Sequence, residues 1–205
     1  MKIVLISGKA EAGKTIAANF LKRLLQRTYG KNVAIVPYAA YLKSTAKTIW
    51  EWNGKKDEGG RHLLQWWGTE VVREKDPDFW VKAVMNVADM AEPYLDYLII
   101  DDCRFPNEIN MWKKICFVEN SGDELEDHLV SKHRWPNIFT IRIERPGHEN
   151  ALTEEQRKHP SETALDDYKF DITISAQDSW DLMDQLNSAV IPNIVDISTA
   201  IQQLD

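Results

Sequence analysis

Residues Gly8-Lys9-Ala10-Glu11-Ala12-Gly13-Lys14-Thr15 fit the pattern G-x-x-x-x-G-K-[ST] without a gap. Four fixed positions at background frequencies arise by chance in about 1% of chains this long. The flanks narrow the reading further. A short β-branched run, Ile3–Ser7, leads into the first glycine, and Ala17, Phe20, Leu21, Leu24 and Leu25 recur at helical spacing after it, up to a stop at Gly30. Strand, glycine loop and helix in that order let successive backbone N–H groups converge on phosphate oxygens, helped by the helix N-terminus. Lys14 then sets a charge on the outer phosphates and the Thr15 hydroxyl offers a magnesium ligand. All eight residues, from Gly8 to Thr15, are therefore expected to cradle ATP with its Mg2+.

The remainder of the chain alternates strands and helices. Asn32–Val36, Leu98–Ile100, Ile138–Ile143 and Phe170–Ile174 read as further strands. Helices are expected over Tyr41–Trp52, from about Arg61, from about Asp78, and around Leu182, Leu186 and Ala189, with a short amphipathic stretch closing the chain. Asn53–Gly60 (NGKKDEGG) is polar and glycine-rich and reads as a loop. Strands rich in Val and Ile, separated by helices, imply βαβ units. The expected architecture is one three-layer α/β/α domain of the P-loop NTPase kind, with a mainly parallel five-stranded sheet. A helical region over about 38–92 and a polar excursion over about 145–162 are the expected appendages.

Composition removes several classes of function. Acidic residues outnumber basic ones, 32 to 25, for a net charge of −7. Nonspecific duplex binding draws its affinity from neutralised phosphates, so no nucleic-acid partner is expected. Cys103 and Cys116 are the only cysteines; two thiols make no disulfide framework, which suits a reducing compartment. Apolar runs fall far short of the ~18–20 residues that span a bilayer, and the N-terminal one is too short for a signal peptide. A cytoplasmic protein acting on small molecules, with no membrane partner, is expected. Eight tryptophans suggest much apolar surface without locating an interface, which leaves a homodimer open.

The loop alone does not separate kinases, GTPases and motors. No guanine-reading Asn-Lys-x-Asp is present, and neither extra domains nor a basic track mark a motor. Tyr97-Leu98-Ile99-Ile100-Asp101-Asp102 is an apolar strand ending in aspartate, the arrangement that delivers a carboxylate beside magnesium. Asp102 is the expected magnesium and substrate residue, with Asp101 as the alternative and helix capping as the plain one. Arg104 follows at the same strand end, where open α/β sheets bind ligands. Arg61, Gln65, Thr69 and Arg73, spaced by four, form one polar helical stripe suited to a monophosphate and a base edge. A solvated face is the plain reading of that stripe. Arg142 and Arg145 flank the end of the fourth strand, followed by Pro146-Gly147 and a polar segment with Arg157, Lys158 and His159, where a closing lid would sit.

Together these pieces resemble the phage-type deoxynucleoside monophosphate kinases, within the P-loop nucleoside monophosphate kinase group. The resemblance is carried by Gly8–Thr15, Tyr38-Ala39-Ala40-Tyr41-Leu42-Lys43, Leu63-Leu64-Gln65 with Gly68-Thr69 and Arg73, Asp102-Cys103-Arg104-Phe105-Pro106-Asn107-Glu108, and His159-Pro160-Ser161-Glu162. It implies that Lys43 and its neighbours line the acceptor site, although the family commonly has Asp where this chain has Ala40. Arg61, Arg73 and Arg104 are implied to hold the acceptor phosphate, and Arg145, Arg157 and Lys158 to belong to the lid. Lys14, Arg104, Arg145 and Arg157 are then the catalytic cations. The stretch 118–136 matches nothing in the family and reads as an insertion.

Phosphoryl transfer asks for positioning and charge neutralisation rather than covalent chemistry. A phosphate monoester is itself a competent nucleophile near neutral pH, so no dedicated general base is needed. The expected reaction moves the γ-phosphoryl group of ATP to a (deoxy)nucleoside monophosphate. A P-loop kinase of another small molecule, such as dephospho-coenzyme A, and a regulatory ATPase are the alternatives. Structural zinc is not expected, since His128 and His133 lie at spacings unlike any finger and no Cys-x-x-Cys exists.

Overall fold

The computed structural model describes residues 1–121 and 137–195. Most of the stretch 118–136, with His128 and His133, and the closing amphipathic stretch therefore lie outside the described residues. Among the described residues the sheet has five strands: β1 (Lys2–Ser7), β2 (Val33–Ile35), β3 (Tyr97–Cys103), β4 (Ile138–Glu144) and β5 (Ile172–Ser175). Their order is β2-β3-β1-β4-β5, and every pairing is parallel. The mainly parallel sheet that the sequence implies is thus parallel throughout the described residues. Parallel strands need crossovers and cover on both faces, and two separate cores supply the cover.

On one face Val4, Ile6, Ile99, Ile141 and Ile143 pack against α1 (Lys14–Tyr29) and the helix pair near the C-terminus. That pair is α8 (Ser179–Gln185), continued by a π-helical turn Leu186–Val190, and α9 (Ile191–Ile194). On the other face Ile3, Leu5, Leu98 and Ile100 pack with Trp80, Val81, Val84 and Trp112. Those residues come from α4 (Phe79–Ala91) and α5 (Asn107–Ser121). The Trp112 indole, fully buried, donates to the Tyr38 hydroxyl at 2.7 Å, satisfying a polar atom that burial would otherwise penalise. Both faces of the strands are apolar, so their sequences read as continuous hydrophobic runs rather than alternating ones.

Between β2 and β3 the chain builds a helical region from α2 (Ala39–Trp50) and α3 (Glu58–Gln65), the latter continuing as a π-helix over Trp66–Arg73. The polar segment Asn53–Gly60 is a loop only in its first half. Asp57 caps α3 by accepting the Gly60 N–H at 2.8 Å, so both glycines lie in the first helical turn. Glycine reads as a loop residue by propensity, but Gly60 is here for space. A Cβ built on it would lie 2.0 Å from the Lys55 carbonyl oxygen, which also accepts the Trp52 indole N–H at 2.9 Å. After β4 come α6 (Glu154–Lys158) and α7 (Pro160–Thr163). No helix among the described residues is long and apolar enough to cross a membrane.

The crowding at Gly60 sets a stability expectation. Gly60→Ala should cost ~1–3 kcal/mol, the usual range for overpacking against backbone. A urea titration reads this as a lower midpoint at unchanged slope; a wild-type midpoint would mean the turn gives way without cost.

Candidate functional site

The phosphate loop joins β1 to α1 at the centre of the sheet. Gly8 starts it with φ +151°, and a Cβ there would come within 2.4 Å of the Ile143 carbonyl oxygen, so the loop runs tight against β4. Only glycine tolerates both the conformation and the approach. Glu11, not a glycine, also takes a left-handed φ of 64°. Lys14 is buried, and its ammonium donates to the Gly8 and Lys9 carbonyls at 2.7 and 2.6 Å. Burial first, and then the Arg104 charge, lower its pKa to about 7; Glu162, Asp102 and Asp101 pull the other way. The loop thus holds its lysine folded back on itself, ready to exchange carbonyls for phosphate oxygens.

The two aspartates at the end of β3 part company. The Thr15 hydroxyl donates to Asp101 at 2.8 Å. Asp102 instead accepts the backbone N–H groups of Tyr38 and Ala39 at 2.8 and 2.9 Å, at the start of α2. Alternate residues of a strand face opposite sides, and α1 covers the side that holds Ile99 and Asp101. The carboxylate beside Thr15 is therefore Asp101, whereas the sequence points to Asp102. Burial raises the Asp102 pKa, with the Ala39 and Tyr38 N–H groups opposing the shift. Among the described residues no group of three or more His, Cys, Asp and Glu side chains could hold a metal. The Thr15–Asp101 pair at the loop fits a magnesium that takes its other ligands from phosphate and water.

Beside the loop lies a chamber of about 220 Å³. Lys43, Lys56, Arg61, Arg73 and Arg104 line it with positive charge. Leu42, Leu64, Trp80 and Phe105 give it an apolar wall, and Gln65 and Thr69 add neutral polar groups. Lys43, Arg61, Gln65, Arg73, Asp102 and Arg104, read separately from the sequence, thus meet in one cavity. Each arginine has a carboxylate partner. Arg73 pairs with Glu108, Arg104 with Glu162, and Arg61 approaches Glu11 at 3.6 Å. The Arg73 guanidinium also lies 4.2 Å over the Phe105 ring. Burial pushes the Glu108 carboxyl up to about 7, against the lowering effect of Arg73.

The polar excursion is represented in the chamber by Leu152, Ser161 and Glu162 rather than by its cations. Glu162 accepts the Ala10 N–H at 3.0 Å and pairs with Arg104, and Lys9 donates to the Glu162 carbonyl at 2.6 Å. Arg145 is exposed just past β4. Arg157 is turned into its own segment, donating to Asn150 at 3.2 and 2.9 Å, and Lys158 pairs with Glu154. In this structure Arg145 and Arg157 do not line the chamber: Arg145 is exposed, and Arg157 spends its guanidinium on Asn150. His159 caps α7, accepting the Ser161 N–H at 3.2 Å.

No family model matches the chain. It is similar to a phosphomevalonate kinase of Drosophila melanogaster, 27% identical over 202 residues that cover 88% of this chain and 91% of that protein. Among solved structures it is similar to a mutant of the APS kinase CysC of Mycobacterium tuberculosis. That likeness has a TM-score of 0.43 and 11% identity, covering 91% of this chain and 97% of the other.

The state of Lys14 yields a prediction with a definite sign. With a pKa of about 7, its ammonium is half deprotonated at neutral pH and mostly neutral by pH 8 in the free protein, and bound phosphates favour the charged form. Nucleotide binding should therefore take up protons, approaching about one per site near pH 8, and affinity should fall as pH rises through that range. Calorimetry in buffers of different ionisation heat measures the uptake. Lys14→Ala should abolish it together with phosphoryl transfer; uptake unchanged in that variant would place the proton elsewhere.

Proposed function

We propose that this chain transfers the γ-phosphoryl group of ATP to a (deoxy)nucleoside monophosphate, giving the diphosphate and ADP. The observation that carries the reading is the chamber beside the loop, where three arginines and two lysines face an aromatic and aliphatic wall. Arg73 and Arg104 suit the acceptor phosphate, and Lys43, Lys56 and Arg61 add to the field that offsets repulsion between two phosphate groups. Phe105, Trp80 and Leu64 give the chamber an apolar lining for a base, and the Gln65 amide offers it both a donor and an acceptor. A phosphate oxygen of the acceptor forms the new bond to phosphorus as the bond to the ADP oxygen breaks, so no side chain need accept a proton. Thr15 and Asp101 are the residues that would hold Mg2+, which would neutralise charge on the donor phosphates.

The similarity to a phosphomevalonate kinase over most of the chain supports phosphotransfer. It also favours a second reading, in which the acceptor is phosphomevalonate. Both acceptors are phosphate monoesters that become diphosphates, so the arginines serve either. The wall and Gln65 favour a base. The segment 145–162 acts in both as a lid, contributing Glu162 in the structure described and Arg145, Arg157 and Lys158 once two phosphorylated substrates are bound.

An ATP-coupled assay against ribo- and deoxynucleoside monophosphates and phosphomevalonate tests the reading. Turnover with the nucleotides is expected; turnover with phosphomevalonate alone would replace the first reading by the second, and none with any acceptor would remove both. Arg73→Ala and Arg104→Ala should each weaken acceptor KM or kcat by about tenfold or more, as befits a charge-assisted contact of ~1.5–3 kcal/mol. The ATP KM should move much less. Equal losses for both substrates would assign these arginines to the donor side or to the fold.

A further inference from the structure

The most heavily bonded carboxylate in the chamber has no part in the chemistry so far. Glu108 is 2% exposed. One of its oxygens pairs with Arg73, and the other accepts the backbone N–H groups of Arg104 and, at 3.1 Å, Phe105. Its own carbonyl accepts the Tyr38 hydroxyl at 2.6 Å, tying the same residue to the start of α2. A buried carboxyl group left without hydrogen-bond partners is strongly unfavourable, so Glu108 keeps its donors where they are. Arg73 is held from three sides, by Glu108, by the Pro77 carbonyl at 2.9 Å and by the Phe105 ring beneath it.

We propose that Glu108 is a positioning residue for the acceptor: its two carboxylate oxygens fix the Arg73 guanidinium and the Arg104–Phe105 backbone in one geometry before substrate arrives. An arginine aligned in advance loses less rotamer freedom on meeting a phosphate. One carboxylate that holds the Arg73 guanidinium and the Arg104 backbone also fixes the spacing between that cation and the root of the Arg104 side chain, which suits one phosphate gripped from two elements. Glu108 itself touches no transferred atom. The inference rests on the reading of the chamber as the acceptor site.

Glu108→Gln keeps the volume and one oxygen for the backbone N–H groups, but turns an amide toward Arg73. With dGMP as acceptor, or phosphomevalonate where the assay selects it, this variant should raise the acceptor KM by about tenfold, lower kcat by less than about threefold and leave the ATP KM within about twofold. Adding Glu108→Gln to Arg73→Ala should change the acceptor KM by less than about twofold, because the two residues act as a unit. Glu108→Asp, which keeps the charge but is shorter by one methylene, should fall between wild type and Glu108→Gln, and it carries the test if the glutamine variant does not fold. An unchanged acceptor KM in the folded variants, losses that add in the double variant, or an equal rise for ATP would overturn the proposal. If Arg73→Ala alone leaves both the acceptor KM and kcat unchanged, the acceptor reading of the chamber fails instead.

Discussion

Two adjacent carboxylates at the end of β3 face opposite sides of the sheet, and the geometry of the site depends on that split. Asp101 reaches the Thr15 hydroxyl at the start of α1, while Asp102 takes the first N–H groups of α2. One strand end therefore registers the phosphate loop on one face against the helical region on the other. The two sides are one residue apart in sequence, so their spacing is set by the pleat of a strand buried on both faces rather than by any loop. Side chains that must meet within a few ångström gain from mounting on so stiff an element.

A second constraint is electrostatic. Gathering five cations around about 220 Å³ is unfavourable unless the charges are offset, and the three arginines are offset one by one by Glu108, Glu162 and Glu11. Lys56 shows the effect of that crowding. Burial lowers the Lys56 pKa, and the charges of Lys43, Arg61 and Arg104 lower it further. The carboxylates are thus part of how the cations can coexist, and a chain with the same arginines but neutral neighbours would hold them less firmly in place.

Much of this was legible in the residues. The loop motif, the strand–helix alternation and the stripe Arg61-Gln65-Thr69-Arg73 each follow from a local rule, and the stripe stays on one side even where the helix widens to π winding. What escaped depends on the third dimension. Whether Asp101 or Asp102 meets Thr15 turns on which sheet face α1 covers, and nothing in the strand's own apolar run declares it. Gly60 reads as a loop because the Lys55 carbonyl that excludes a side chain is a tertiary neighbour. Lys56 sits in an aperiodic segment that gives no hint of where it points. Arg145 reads as a site residue from its place at a strand end and Arg157 from its polar segment and the lid resemblance, and sequence does not say that Asn150 will satisfy Arg157 first.

The carboxylate of Glu162 has a consequence of its own. It sits where the loop's Ala10 N–H and the Arg104 guanidinium converge, two donors of the kind that serve phosphate. The protein therefore carries an internal counter-anion, and a substrate phosphate that takes Arg104 must first displace it. Association becomes a swap of one negative partner for another instead of the filling of bare positive space. A swap releases fewer mobile ions than the count of cations implies, so occupancy should respond to ionic strength less steeply than five exposed charges would.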